Sequence, residues 1–174
     1  LFTPGLRIVF GAILALFLVG IGELARRREI VTGISQINSA QIPSILTAAG
    51  TTIEAIAALG DENAAMTKMA EGAVALALRL YAAGEVHGLL ALGGTMGTDL
   101  ALDVTAALPL GMPKFIVSTV SYSHLIPPER LAPDLMMVLW AGGLYGLNSI
   151  CQSILSQAAG AVLGHPDTCA ELMR

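Results

Sequence analysis

Charge is scarce in this chain. Charged residues make up 13% of 174 positions, against about a quarter in an ordinary soluble domain. The 9 basic and 13 acidic residues leave a net charge of −4. That balance excludes the basic patch or stripe of a general nucleic-acid binder. Cysteine is equally sparse. Cys151 and Cys169 stand apart from each other and from any Cys/His cluster, which argues against a disulfide scaffold and a metal site and suits the reducing cytoplasm. Two catalytic signatures are absent: the GxxxxGK[ST] phosphate loop and the GxSxG nucleophile elbow.

Long apolar runs are also missing. The best candidate, residues 8–22, is uncharged but short of the ~20 residues of a spanning helix. Only Arg7 precedes it and no small-residue cleavage site marks a signal peptide. Arg26, Arg27 and Arg28 follow, as a cytoplasmic flank would, so a membrane segment stands as the alternative reading of this run. The rest of the chain, with glycine punctuation and short apolar runs, reads as buried parallel strands, and no membrane partner is expected.

What remains is apolar: 55% of the residues. The length suits one α/β domain over residues 1–174, with residues 1–40 the least defined. Residues 15–19 read as a strand, and Gly20-Ile21-Gly22-Glu23-Leu24-Ala25 after them has the form G-x-G-x-x-A. The acidic residue expected about 20 positions further on is absent, so a plain strand-to-helix turn is the better reading. Residues 35–49 are polar and broken by Pro43, a connection or short helix. Residues 61–83 carry the clearest helical pattern, with Met66, Met69, Ala70, Ala73, Val74, Ala77 and Leu80 on one side, acids at its start and Gly84 at its end. Strands are expected over 86–92, 114–120 and 135–139, and helices over 98–108 and 147–163, the last ending at 164–167. This alternation predicts a doubly wound, Rossmann-like α/β fold: a mostly parallel sheet with helices on both faces.

Ligands of such sheets bind beyond the carboxyl ends of the strands. Three segments meet there: 93–99, 118–124 and 140–148. Gly93, Gly94 and Gly97 allow backbone N–H groups to turn toward an anion. Thr95 and Thr98 add hydroxyls, and a helix starting near Thr98 aims its positive end at the same place. The bland alternative is a tight turn with Thr98 as N-cap. In the second segment, His124 is a candidate general base and Ser118, Ser121 or Ser123 a candidate nucleophile, against a loop of capping serines. Lys114 starts its strand and therefore belongs at the opposite edge. His87, inside a strand, and His165, after the last helix, read as structural.

The ordered motifs Ala91–Thr98 (ALGGTMGT), Ala107–Lys114 (ALPLGMPK), Val117–Val120 (VSTV), Gly146–Ile150 (GLNSI) and Ala158–Ala161 (AAGA) resemble the Tm-one-like ATP-binding domain family. This largely uncharacterised family of bacterial, fungal and plant proteins includes a plant inhibitor of tobamovirus RNA replication. The resemblance runs from about Gln41 to Leu163. It implies the ATP-binding N-terminal domain of a two-domain protein, with ATP, with or without magnesium, held by Gly93, Gly94, Thr95, Met96, Gly97, Thr98, Ser118, Thr119 and Asn148. A missing C-terminal domain of the same protein would explain part of the apolar surplus. The chain departs from the family at three points. Against the family's Gly-Gly-Ser-Gly-Gly-Thr, Thr95 keeps a hydroxyl but Met96 replaces a glycine, with bulk expected near the phosphates. Ser121-Tyr122-Ser123-His124 replaces Ala-Ser-Gly-Asp, so an acid gives way to histidine. The opening Gly-Thr-x-Asp-Thr-Lys-Gly loop has no counterpart at Gly20–Leu24.

The function expected is therefore nucleotide or phosphate-ligand binding with no assigned reaction. Two alternatives belong to other classes: a hydrolase or transferase using His124 with a nearby serine, and a structural module that only assembles. A substitution Gly97→Asp is expected to abolish binding. Helix 147–163 has no charge on any face, so a homo-oligomer is expected as well.

Overall fold

In a computed structural model the described residues are 16–19, 41–140 and 148–172. They form a four-stranded sheet of β1 (Leu16–Val19), β2 (Gly88–Gly93), β3 (Lys114–Ser118) and β4 (Leu135–Leu139), in that spatial order. Strands β2, β3 and β4 are parallel, and β1 pairs antiparallel with β2. Five α-helices accompany them: α1 (Gln41–Ala48), α2 (Ile53–Ala57), α3 (Glu62–Ala82), α4 (Thr95–Ala107) and α5 (Ser149–Leu172), with a 3-10 turn at Pro128–Arg130. This is the expected α/β fold.

Alternation along the strands decides which helix goes where. Leu89, Ala91 and Ile116 look to one face, where α3 and α4 pack. Leu90, Leu92 and Val117 look to the other, against Leu155, Ala158 and Val162 of α5. Strands buried on both sides need no polar residue, which is why β2 reads as an unbroken apolar run.

Helix α3 carries the larger core. Met66, Met69, Ala70, Ala73 and Ala77 are buried, with Val74 and Leu80 half-buried beside them. The Asp61 carboxylate accepts the Ala64 N–H at 2.7 Å as its N-cap. At the other end the Gly84 N–H donates to the Tyr81 carbonyl and the Glu85 N–H to the Leu80 carbonyl, the paired bonds of a Schellman close. Gly84 takes φ +70° there. Helix α1 crosses α3 at Gly72, where a Cβ would sit 2.3 Å from the Ile45 carbonyl oxygen. Pro43 does not break α1, because it lies in the first turn, where its missing N–H has no helical partner to lose.

Four expected boundaries move. Helix α4 starts at Thr95 rather than Thr98, so only Gly94 remains between it and β2. Helix α5 runs to Leu172, through Gly164 and Pro166 where an end was expected; a proline interrupts one helical bond without having to end the helix. Strand β2 starts at Gly88, leaving His87 exposed just before it, and β3 ends at Ser118. Residues 20–40, with the G-x-G-x-x-A segment, lie outside the described residues. So do most of residues 8–22, but Leu16–Val19 from the middle of that run are a strand hydrogen-bonded to β2. No helix among the described residues is long and apolar enough to cross a membrane.

Candidate functional site

Register brings Gly93, Ser118 and Leu139 side by side at the carboxyl edge of the sheet. Two backbone bonds continue the ladder beyond the strands: Thr119 N–H to the Gly93 carbonyl at 3.1 Å and Trp140 N–H to the Ser118 carbonyl at 2.8 Å. The loops after β2 and β3 are therefore held together at one place, whereas residues 141–147 of the third expected segment lie outside the described residues.

The glycines there have different tasks. A Cβ on Gly93 would lie 2.8 Å from the Gly97 carbonyl carbon and 2.9 Å from the Thr98 nitrogen. Gly93 thus lets the first turn of α4 settle directly on the strand end. Gly94 is the N-cap, and having no side chain it leaves the helix without a side-chain cap. The first helical backbone bond is Thr98 N–H to the Gly94 carbonyl at 2.9 Å. The N–H groups of Thr95, Met96 and Gly97 therefore precede the ladder and have no helical acceptor. No acidic residue occupies that turn. Gly94, Thr95 and Thr119 are exposed at its mouth.

Other expected ligand residues face inward. Thr98 is buried, its hydroxyl 2.6 Å from the equally buried Ser118 hydroxyl, which also accepts the Val120 N–H at 3.0 Å. This pair ties α4 to β3, so Thr98 is neither an N-cap nor a group facing solvent. Gly97 is buried as well. Met96 is half-buried against the α3 core. Asn148 caps α5, its side-chain oxygen accepting the Cys151 N–H at 2.9 Å.

The hydroxyl-rich segment after β3 is mostly engaged in holding the loop. Ser121 is buried and donates to the Val138 carbonyl at 3.0 Å. Tyr122 donates to the Met137 carbonyl at 2.6 Å. It also takes φ +62°, a region uncommon for residues other than glycine. Ser123 accepts the Leu125 N–H at 3.3 Å. His124 is exposed, and among the described residues no hydrogen bond joins it to a serine.

Two ionic features frame this edge and its opposite. Arg130, from the 3-10 turn, reaches α4, bonding Asp99 through Nη1 and Asp103 through Nη2 at 2.7 Å. Burial alone would lower the guanidinium pKa, but the hydrogen bonds and charges of Asp99 and Asp103 raise it above its ordinary value. At the far edge Lys114 is wholly buried. It donates to the Leu108 carbonyl at 2.9 Å and to both oxygens of Asp134 at 3.0 and 3.1 Å. Asp134 also accepts the Gly111 N–H at 2.8 Å. The ALPLGMPK motif is thus an internal lock, away from the candidate site, where Lys114 was expected. Among the described residues no three His, Cys, Asp or Glu side chains cluster as metal ligands.

Beside the first turn of α4 lies a cleft of about 270 Å³. Its walls come from the start of α3 (Glu62, Asn63, Met66, Thr67), from α4 (Thr95, Met96, Asp99, Asp103) and from the loop after β3 (Val120, Leu125, Ile126). Sequence reasoning missed both the cleft and the Arg130 clasp. The one local signal was Asp99 and Asp103, four apart and hence on one side of a helix.

The sequence profile of the uncharacterised protein family UPF0261, N-terminal domain, matches residues 23–171. The chain belongs to that family. A UPF0261 protein of Brucella suis is 69% identical over 117 residues, covering 67% of this chain and 28% of that protein. A UPF0261 protein of Clostridium tetani is 33% identical over 115 residues, 66% of this chain and 28% of that protein. The ToMV resistance protein Tm-1 of Solanum lycopersicum is 33% identical over 88 residues, 48% of this chain and 12% of that protein, in line with the Tm-one-like resemblance. The matched part of this chain spans little more than a quarter of the length of its bacterial relatives.

Proposed function

We propose that this domain binds a nucleotide or a similar phosphate ligand at the first turn of α4, with no reaction assigned. One observation carries the reading: a helix end at the carboxyl edge of the sheet that begins on Gly94, lacks a side-chain cap and leaves the Thr95, Met96 and Gly97 N–H groups without helical acceptors. Such an end attracts an anion through its N–H groups and its dipole. Gly94, Thr95 and Thr119 form the contact surface. Gly93, Gly97, Thr98 and Ser118 shape it from beneath. A cytoplasmic setting, drawn from composition alone, belongs to the same proposal.

In the enzyme reading Ser121 is disfavoured as nucleophile, because its hydroxyl donates to the Val138 carbonyl, which leaves Ser118 and Ser123 as the other candidates. The purely structural reading is separated by calorimetric titration with ATP, ADP and NAD. Gly97→Asp is a poor probe, since Gly97 is buried against Gly93. Thr95→Glu is better. A carboxylate there supplies the anion from within and favours the helix by about 0.3–1 kcal/mol. Ligand affinity should fall at least tenfold while the melting temperature holds or rises. Unchanged affinity, or no titratable ligand in the unaltered protein, refutes the site.

A further inference from the structure

We propose that residues 122–133, between β3 and β4, form a strap that opens and closes the cleft between α3 and α4, with Arg130 as its latch. The inference stands whether or not the first turn of α4 takes an anion.

The segment is pinned at both ends and loosely seated between them. Before it, buried Ser121 donates to the Val138 carbonyl at 3.0 Å. After it, Asp134 accepts from buried Lys114 at 3.0 Å. No residue from 122 to 133 is buried. The backbone bonds of the segment are local turns, as from the Ile126 N–H to the Ser123 carbonyl and from the Leu131 N–H to the Pro128 carbonyl. A segment with few buried contacts and only local backbone bonds opens at small cost.

Two hollows flank the strap. On one side Leu125 and Ile126 wall the cleft of about 270 Å³. On the other, Tyr122, Leu131 and Ala132 enclose a hollow of about 260 Å³ against Leu135 and Met137 of β4. Ile126 borders both. A swing toward β4 therefore carries Ile126 out of the first hollow and into the second, with apolar contact on either side. The Tyr122 hydroxyl already bonds the Met137 carbonyl on the β4 side at 2.6 Å. Arg130 holds the closed position. Its guanidinium bonds the Asp99 carboxylate through Nη1, and through Nη2 the Asp99 carbonyl at 3.0 Å and the Asp103 carboxylate at 2.7 Å. Asp99 and Asp103 stand four apart on α4 and repel each other. The cation between them relieves that repulsion only while the strap is closed. Both carboxylates are largely exposed, so salt weakens the latch.

Peroxide footprinting and amide exchange on the domain test this. Met66 lines the cleft, whereas Met69 is buried in the core and does not. Arg130→Leu should speed Met66 oxidation about three- to tenfold relative to Met69, and the exchange of amides 123–131 by a similar factor relative to β2 and β3. Raising sodium chloride from about 0.05 to about 0.5 M should act likewise on the unaltered protein and add little in Arg130→Leu. Ala132→Leu fills the hollow beside β4 and removes the room for the swing. Arg130→Leu combined with Ala132→Leu should return Met66 toward its unaltered rate. Met66 and strap amides that ignore Arg130→Leu, or a Met69 that speeds up equally, refute the latch. A folded double variant as fast as Arg130→Leu refutes the swing toward β4. The salt series needs no substitution, and equal Met66 rates at both concentrations overturn the proposal even where a variant folds poorly.

Discussion

Lys114 shows what a single residue can disclose before a structure and what it cannot. Its place at the start of a strand puts it at the edge away from the glycine turn, and the register agrees. Its burial and its partner were illegible, because Asp134 lies on the far side of a proline-containing loop and no local spacing links the two. The pair predicts a large effect for Lys114→Met. Removing one member of a buried pair costs on the order of 3–5 kcal/mol, and Asp134 retains some solvent, with a side-chain exposure of 21%, so a loss near the lower figure is expected in urea unfolding. Acid acts through the same pair. Burial would raise the Asp134 pKa, but Lys114 and the Gly111 N–H pull it below its ordinary value of 3.8. The resulting stability is full above that value and is lost as pH falls through the lowered folded value. Asp134→Asn should therefore be less stable at neutral pH, and its urea midpoint should change less between pH 5 and pH 2. Parallel curves for the two proteins would contradict this.

At the scale of elements, helix α3 was readable almost in full, because periodicity, acidic N-cap and terminal glycine are all local signals. The start of α4 was not. A Gly-Gly-Thr-Met-Gly-Thr run looks like a loop by propensity, yet Thr95 to Thr98 form the first turn of α4, packed so closely on the strand end that a Cβ on Gly93 would meet the Gly97 and Thr98 backbone. Tertiary packing overrides propensity there. The hydroxyls after β3 misled for a related reason. Their number suggested chemistry, whereas Ser118, Ser121 and Tyr122 satisfy nearby groups at the ends of strands. The crossing of α1 over α3 supplies a direct test. In Gly72→Ala the new methyl meets the Ile45 carbonyl, a backbone atom that cannot swing aside. Overpacking of this kind costs about 1–3 kcal/mol. Amide exchange should quicken over residues 41–48 more than over β2 and β3; a uniform change would place the strain elsewhere.

Across the whole molecule, the α/β architecture followed from the alternation of short apolar runs with helical patterns, while the direction of β1 did not. Strand β4 borders the described sheet, its residues only half-buried and Leu139 48% exposed. With Leu125 and Leu131 also exposed, this edge is where we expect the domain to self-associate. Leu139→Lys should shift its light-scattering mass toward the monomer. A monomer before substitution would contradict the expectation. The antiparallel pairing of β1 has a consequence in time. Val19 meets Gly88 and Leu16 meets Ala91, so an emerging chain carries β1 long before its partner exists. The unit β2–α4–β3 is contiguous and closes on itself, with short loops to close. Our hypothesis is that β2–α4–β3 forms first and β1 docks late. Exchange labelling during refolding should protect the amides of β3 before those of β1, and simultaneous protection would show that the two ends of the sheet assemble in one step.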